Sequence, residues 1–237
     1  MIRDSKSFFI GLVMMIVFIG VYLYMMSPNF GNGRNGLEFS DDMFNSLSKG
    51  SVQSVVQGEI KKAAKWNGTN IDVTLKCKDA SQAKRWGDAL QKVDGAVVNV
   101  NQDKVALKAD LGKFFATIGE DCTNMFNNNG DAVKQKYNTD PRDATNRWYS
   151  ISKAVGSALE KKEQFKESVA IQTFMTKVIE PGYNYYGVET KFVKDNKGTM
   201  SLMLLFYLFY TLWYGFAIYY ICVGLGIVMT KGKKAEA

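Results

Sequence analysis

Two runs of the chain contain no charged residue. Residues 8–26 read FFIGLVMMIVFIGVYLYMM, and residues 200–229 read MSLMLLFYLFYTLWYGFAIYYICVGLGIVM. About twenty apolar residues, rising ~1.5 Å each, cross the roughly 30 Å hydrocarbon core of a bilayer, so both runs predict transmembrane helices. The second is long enough to tilt or to extend past the core. The first is too long for the apolar stretch of a cleaved secretory signal. Only MMSPNF follows it, with no small-residue cleavage pattern, so it predicts a retained signal anchor.

Between the runs the apolar pattern changes period. PNFGNGRNG (28–36) is rich in breakers and predicts a linker. From Ser40 to Trp66 the spacing of Phe44, Leu47, Val52, Val55, Val56, Ile60, Ala63 and Ala64 predicts a helix that opens with Asp41 and Asp42 and is interrupted near Gly50. NIDVTLKCK then alternates strictly, with Ile71, Val73, Leu75 and Cys77 on one face, and predicts a strand. Asp79 is placed to cap a helix carrying Ala83, Trp86 and Leu90. AVVNV and KVALKA predict two strands around a turn at 101–103, and Asp110 is placed to cap a helix with Phe114, Phe115, Ile118 and Cys122. The order β-α-β-β-α suits a split βαβ sandwich. NNNGDAVKQKYNTDPRD reads as a break. Helices follow over about 141–164 and 166–179, the second ending at Pro181-Gly182, and YNYYGVETKFV (183–193) predicts a last strand.

The expected fold class is therefore α+β: a transmembrane hairpin with both termini on one side, flanking a mixed domain with a β-α-β-β-α core and additional helices. The predicted organisation is a tail (1–7), a first span (8–27), a linker (28–36), an extracytoplasmic domain (37–193), a linker (194–199), a second span (200–229) and a tail (230–237). Arg3 and Lys6 flank the first span, and Lys231, Lys233 and Lys234 flank the second. Basic residues in short flanks stay cytoplasmic, so both termini are expected inside and the central domain outside, in the periplasm if the membrane is a bacterial inner membrane. The formal charge of the whole chain is +7, but the charges of the central domain are interspersed, which describes a solvated surface and no nucleic-acid footprint.

The chain has no histidine. Ser-His-Asp and Cys-His nucleophile systems and histidine metal sites are thereby excluded. GNGRNG (31–36) matches the spacing of a dinucleotide loop but follows a membrane span where a βαβ unit would need a strand, so it reads as linker. The acidic pairs Asp41/Asp42, Glu120/Asp121 and Asp140/Asp143 lie on helical stretches and present no two distinct environments for acid–base work. Asn67-Gly68-Thr69 has the spacing of a glycosylation acceptor and is otherwise a turn. Cys77 and Cys122 can form a disulfide in an oxidising compartment, whereas Cys222 lies within the second span. No cofactor is expected.

The feature that routine patterning does not explain is YLFYTLWYGFAIYY (207–220) inside the second span. Tyrosine and tryptophan collect at bilayer edges; here they continue inward. A hydroxyl without a partner in hydrocarbon is costly, so Tyr207, Tyr210, Thr211, Trp213, Tyr214, Gly215 and Tyr220 predict a face covered by protein; if residues 200–210 stand in the outer headgroup region, Tyr207 and Tyr210 are instead ordinary belt residues. The first span offers only Tyr22 and Tyr24 as side-chain partners. The expected function is a non-catalytic accessory subunit of a larger membrane complex, partnered by other integral-membrane subunits. The alternatives are a self-assembling homo-oligomer with an extracytoplasmic ring, and an anchored ligand-binding or enzymatic domain.

Overall fold

A computed structural model describes residues 2–227. The basic residues Lys231, Lys233 and Lys234, the tail at 230–237 and the last residues of the second apolar run lie outside the described residues. The fold is mixed α+β and divides into two compact units: residues up to 44 together with those from 191, and residues 45–190.

The first unit is an antiparallel helix pair, α1 (Ser5–Met25) and α9 (Lys197–Leu225), joined by the start of α2 (Gly36–Ala63). Both α1 and α9 are long and apolar enough to cross a membrane. Asp4 caps α1 by accepting from the amides of Lys6 and Ser7. Gly226, in the left-handed region at φ 74°, closes α9. The amides of Arg3 and Asp4 both donate to the carbonyl of Gly224, at 2.8 and 3.1 Å, so the start of α1 satisfies an orphan carbonyl at the end of α9. The contact is close because two glycines make it so. A Cβ at Gly11 would stand 2.6 Å from the Ile221 nitrogen and 2.8 Å from the Ala217 oxygen. A Cβ at Gly224 would stand 2.6 Å from Phe8 Cα. Tyr210, Ala217 and Gly224 recur every seven residues along this contact, as Gly11 and Phe18 do on α1, the spacing of knobs-into-holes packing.

Helix α2 begins at Gly36, four residues before the expected start at Ser40. Asn35 Oδ1 accepts from the amides of Leu37 and Glu38, and Glu38 Oε2 accepts from the amide of Asn35. This reciprocal capping box outcompetes the breaker-rich composition around it. Asp41 and Asp42 consequently lie past the first turn, and α2 runs through Gly50 without a break.

The second unit is built on β1 (Asn70–Lys76), β2 (Val97–Asn101) and β3 (Lys104–Asp110), in the order β1-β3-β2 with both pairings antiparallel. β1 and β2 are therefore parallel and separated by β3: the split βαβ arrangement, with α3 (Ala80–Leu90) as crossover and α4 (Leu111–Phe126) following β3. Asp79 and Asp110 cap α3 and α4 as expected. The inward faces of β1 and β3 carry Ile71, Val73, Leu75, Val105 and Leu107, all essentially inaccessible. They pack with Phe114, Ile118, Trp148, Ile151 and Val155 from α4 and α6 (Pro141–Glu160). Burying side chains of this size contributes roughly 1.5–3 kcal/mol each.

Further expectations differ in this unit. The stretch read as a break contains α5 (Gly130–Tyr137). Helix α6 ends at Glu160, short of Gln164. Finally, Pro181-Gly182 does not stop the chain's helical path. From α7 (Phe165–Phe174) it passes through a π-helical turn (Met175–Ile179) into α8 (Glu180–Asn184), where Pro181 occupies a first-turn position whose amide needs no partner. The strand expected over 183–193 is absent; its first residues belong to α8.

Asp121 joins three helices. It is buried and accepts from Lys136 Nζ on α5 at 2.7 Å, from the Tyr137 hydroxyl at 2.5 Å and from Trp148 Nε1 on α6 at 2.9 Å. Removing the acceptor leaves the Tyr137 hydroxyl without its acceptor, and leaves the indole N–H and the ammonium with only longer contacts, to the Tyr137 oxygen at 3.2 Å and to Glu120 at 3.5 Å. Asp121→Ala should lower the unfolding free energy by about 3 kcal/mol, and Asp121→Asn, which keeps one acceptor oxygen, by less. Thermal unfolding followed by near-ultraviolet circular dichroism measures both; equal stability of Asp121→Ala and the parent would refute the role.

Candidate functional site

The aromatic face of α9 was the sequence's strongest functional signal, and α1 engages part of it. The Tyr210 hydroxyl donates to the Phe18 carbonyl at 3.0 Å, and Trp213 Nε1 donates to the Met14 carbonyl at 2.9 Å. The Tyr210 ring stacks on Phe18 with centroids 4.4 Å apart, and Tyr214 lies against the same ring at 4.9 Å. The acceptors are backbone carbonyls of α1, which already serve the α1 ladder and have a second lone pair free. A side-chain inventory of α1, limited to Tyr22 and Tyr24, could not reveal them. Thr211 is satisfied inside its own helix, donating to the Tyr207 carbonyl at 2.8 Å.

The other members of the expected face are turned away. Tyr207 is 69% exposed and Tyr219 is 50% exposed. Among the described residues, the hydroxyls of Tyr207, Tyr214, Tyr219 and Tyr220 have no hydrogen-bond partner. Nothing lies within 4 Å of a Cβ built at Gly215. Tyr219 and Tyr220 meet edge to face at 5.5 Å. The predicted residues thus divide. Tyr210, Trp213 and Tyr214 serve the α1–α9 contact, whereas Tyr207, Gly215 and Tyr220 border an open surface that also carries Tyr219, Phe209 and Phe216, which were not among the predicted residues.

The second unit holds two buried polar clusters that sequence reading missed. One is Asp121 with Lys136, Tyr137 and Trp148, where burial and the adjacent Asp121 carboxylate push the Tyr137 phenol well above its ordinary range. The other is Lys49, which is 1% exposed. Its ammonium donates to the carbonyls of Val188 at 2.6 Å and Tyr185 at 3.1 Å, and to Asn128 Oδ1 at 3.3 Å, and it lies 5.1 Å from the centre of the Phe126 ring. Asn128 in turn donates to Val188 and accepts from the Gly187 amide, and Ser48 meets the Tyr185 hydroxyl. No carboxylate appears among these partners. A lone lysine at a nominal helix position gives no sequence signal of such a cage, because its acceptors lie 79 residues later, at Asn128, and 136 and 139 residues later, at Tyr185 and Val188.

Neither cluster has the geometry of a reaction centre. Every polar atom of the Asp121 carboxylate is engaged by structural donors. The remaining acidic pairs have local tasks: Asp140 caps α6 with Asp143 in the first turn, Asp42 pairs with Arg34, and exposed Glu120 stands 3.5 Å from Lys136. Among the described residues no group of His, Cys, Asp and Glu is arranged to hold a metal ion. Cys77 and Cys122 are both buried free thiols, so the disulfide considered from the sequence is not formed. Cys77 stands beside the β2–β3 turn, its amide donating to Asp103, whereas Cys122 is packed against Gly182 of α8. Burial raises both thiol pKa values, which leaves them protonated and unreactive.

No protein-family model matches the chain, and no curated protein or solved structure matches it.

Burial lowers the Lys49 pKa from its ordinary 10.5. The unfolded chain therefore holds that proton at pH values where the folded unit has released it, and stability attributable to Lys49 rises with pH across the interval below 10.5. Thermal melts from pH 7 upward, run on the parent and on Lys49→Met, should show the difference shifting in favour of the parent as pH rises. A constant difference would contradict this.

Proposed function

We propose that the chain is a non-catalytic accessory subunit of a larger integral-membrane complex, with α1 and α9 as a transmembrane hairpin and the 45–190 unit on the extracytoplasmic side. The observation that carries the reading is the division of the α9 aromatics. One set completes the contact with α1. The other leaves tyrosine hydroxyls and a bare glycine on an apolar surface that lipid cannot hydrogen-bond. Lipid chains return nothing for a hydroxyl, whereas a neighbouring helix returns about 1 kcal/mol per hydrogen bond and packs closely at a small residue. Gly215 supplies such a position between Tyr207 and Tyr219. Arg3, beside the α1–α9 closure, and Lys6 place a basic flank at one end of the hairpin, which favours a cytoplasmic location for that end.

Two measurements test the reading. In mild detergent the parent should copurify with foreign membrane subunits in fixed stoichiometry. Gly215→Leu adds bulk only to the open surface, so it should keep the α1–α9 contact and lose those subunits. A preparation holding this chain alone, as a homo-oligomer, rejects the accessory role in favour of self-assembly. For orientation, protease added to intact cells whose outer barrier has been opened should cut within 45–190; protection of that unit until the membrane itself is broken would reverse the topology.

A further inference from the structure

The second unit carries a groove that no part of the proposed hairpin docking uses. It lies between the end of α2, with the turn Ala64–Trp66 that follows it, and α7. Two depressions of about 170 and 650 Å³ adjoin there and share Lys65, Trp66, Lys166 and Val169. Their floor reaches Phe115 and Phe174, whose rings lie 4.5 Å apart at the edge of the core. Two large apolar side chains on the α7 wall project into solvent: Phe165 is 60% exposed and Val169 is 65% exposed. They stand one helical turn apart, and Thr173 continues the same stripe at the groove's edge.

The rim is basic. Lys62 is neutralised by Glu59 at 2.7 Å. Lys65 and Lys166 are in no ion pair among the described residues, and Lys65 lies over the Trp66 ring at 5.5 Å. One of these two lysines belongs to each wall. An apolar trough with an unpaired cation on either wall is complementary to a segment that is apolar on one face and acidic along both flanks.

We propose that this groove docks an acidic amphipathic segment of a partner protein. Phe165, Val169 and Trp66 cover its apolar face, and Lys65 and Lys166 meet carboxylates on its two edges. The two-walled placement favours a segment lying along the groove over a single anionic headgroup, which needs donors converging on one point. The inference does not rest on the accessory-subunit reading, because it holds equally if the hairpin is only an anchor.

The test is photo-crosslinking of the full chain in its native membrane, in the native host, with a photoreactive residue replacing Val169 and the crosslinked peptide sequenced. The expected product is a peptide of another protein that carries an apolar stripe and an excess of Asp and Glu. Lys65→Glu combined with Lys166→Glu should cut its yield about tenfold, as expected when paired charges become repulsive, while the melting temperature of the unit stays unchanged because both lysines are exposed. A crosslink to a second copy of this chain, a crosslink to lipid, no crosslink, or a yield indifferent to the charge reversal would each overturn the proposal. The Gly215→Leu experiment reads the other surface, so failure of one proposal leaves the other standing.

Discussion

A polar group that leaves water must find a partner within the protein, and this constraint shapes both units. Its cost, a few kcal/mol for an unpaired hydroxyl or amide, exceeds what most single contacts contribute. In the helix pair it directs Tyr210 and Trp213 onto carbonyls of α1. In the second unit it gathers three donors around Asp121 and three acceptor oxygens around the Lys49 ammonium. Each solution joins elements distant in sequence, so each fixes tertiary structure as well as satisfying a local need. Ser152 is the exception among the described residues: its buried hydroxyl has no partner.

The same constraint separates two kinds of aromatic residue on α9. An aromatic side chain with a hydroxyl is an asset where a carbonyl stands opposite and a liability where only hydrocarbon does. Tyr210 and Tyr207 are one turn apart and chemically identical, yet the first is engaged by α1 and the second faces outward. What distinguishes them is the path of α1, and that path is set by the absence of side chains at Gly11 and Gly224.

Much of the second unit was legible in the sequence because its signals are local. Strict alternation over 71–77 gave β1, and the aspartates at 79 and 110 gave two helix starts. The β-α-β-β-α order followed from turn and period alone. Errors arose where a longer-range or finer effect overrode composition. The Asn35–Glu38 box started α2 inside a glycine- and asparagine-rich stretch. A π-helical turn let the chain continue past Ile179 to a proline that was itself well placed. The partners of Tyr210 and Trp213 were invisible because they are main-chain oxygens, which no residue type announces. The Lys49 cage was invisible because residue 49 and residues 185–188 meet only in the folded unit. The number of cysteines alone left pairing of the two thiols open; in the fold Cys77 lies beside Asp103 and Cys122 against Gly182, and both are free.

The Lys49 cage has a consequence for how the chain closes on itself. It binds a residue near the start of the 45–190 unit to carbonyls near its end, so the segment entering the unit and the segment leaving it are pinned together. Bringing α1 and α9 together across an unstructured insert would mean closing a loop of about 170 residues; with the insert folded and its ends clasped, the free loop shrinks to about 30, a saving of roughly 1.5 kcal/mol in chain entropy. The lysine cage thus acts at a distance as a clasp that makes the two long apolar helices neighbours in chain length as well as in space.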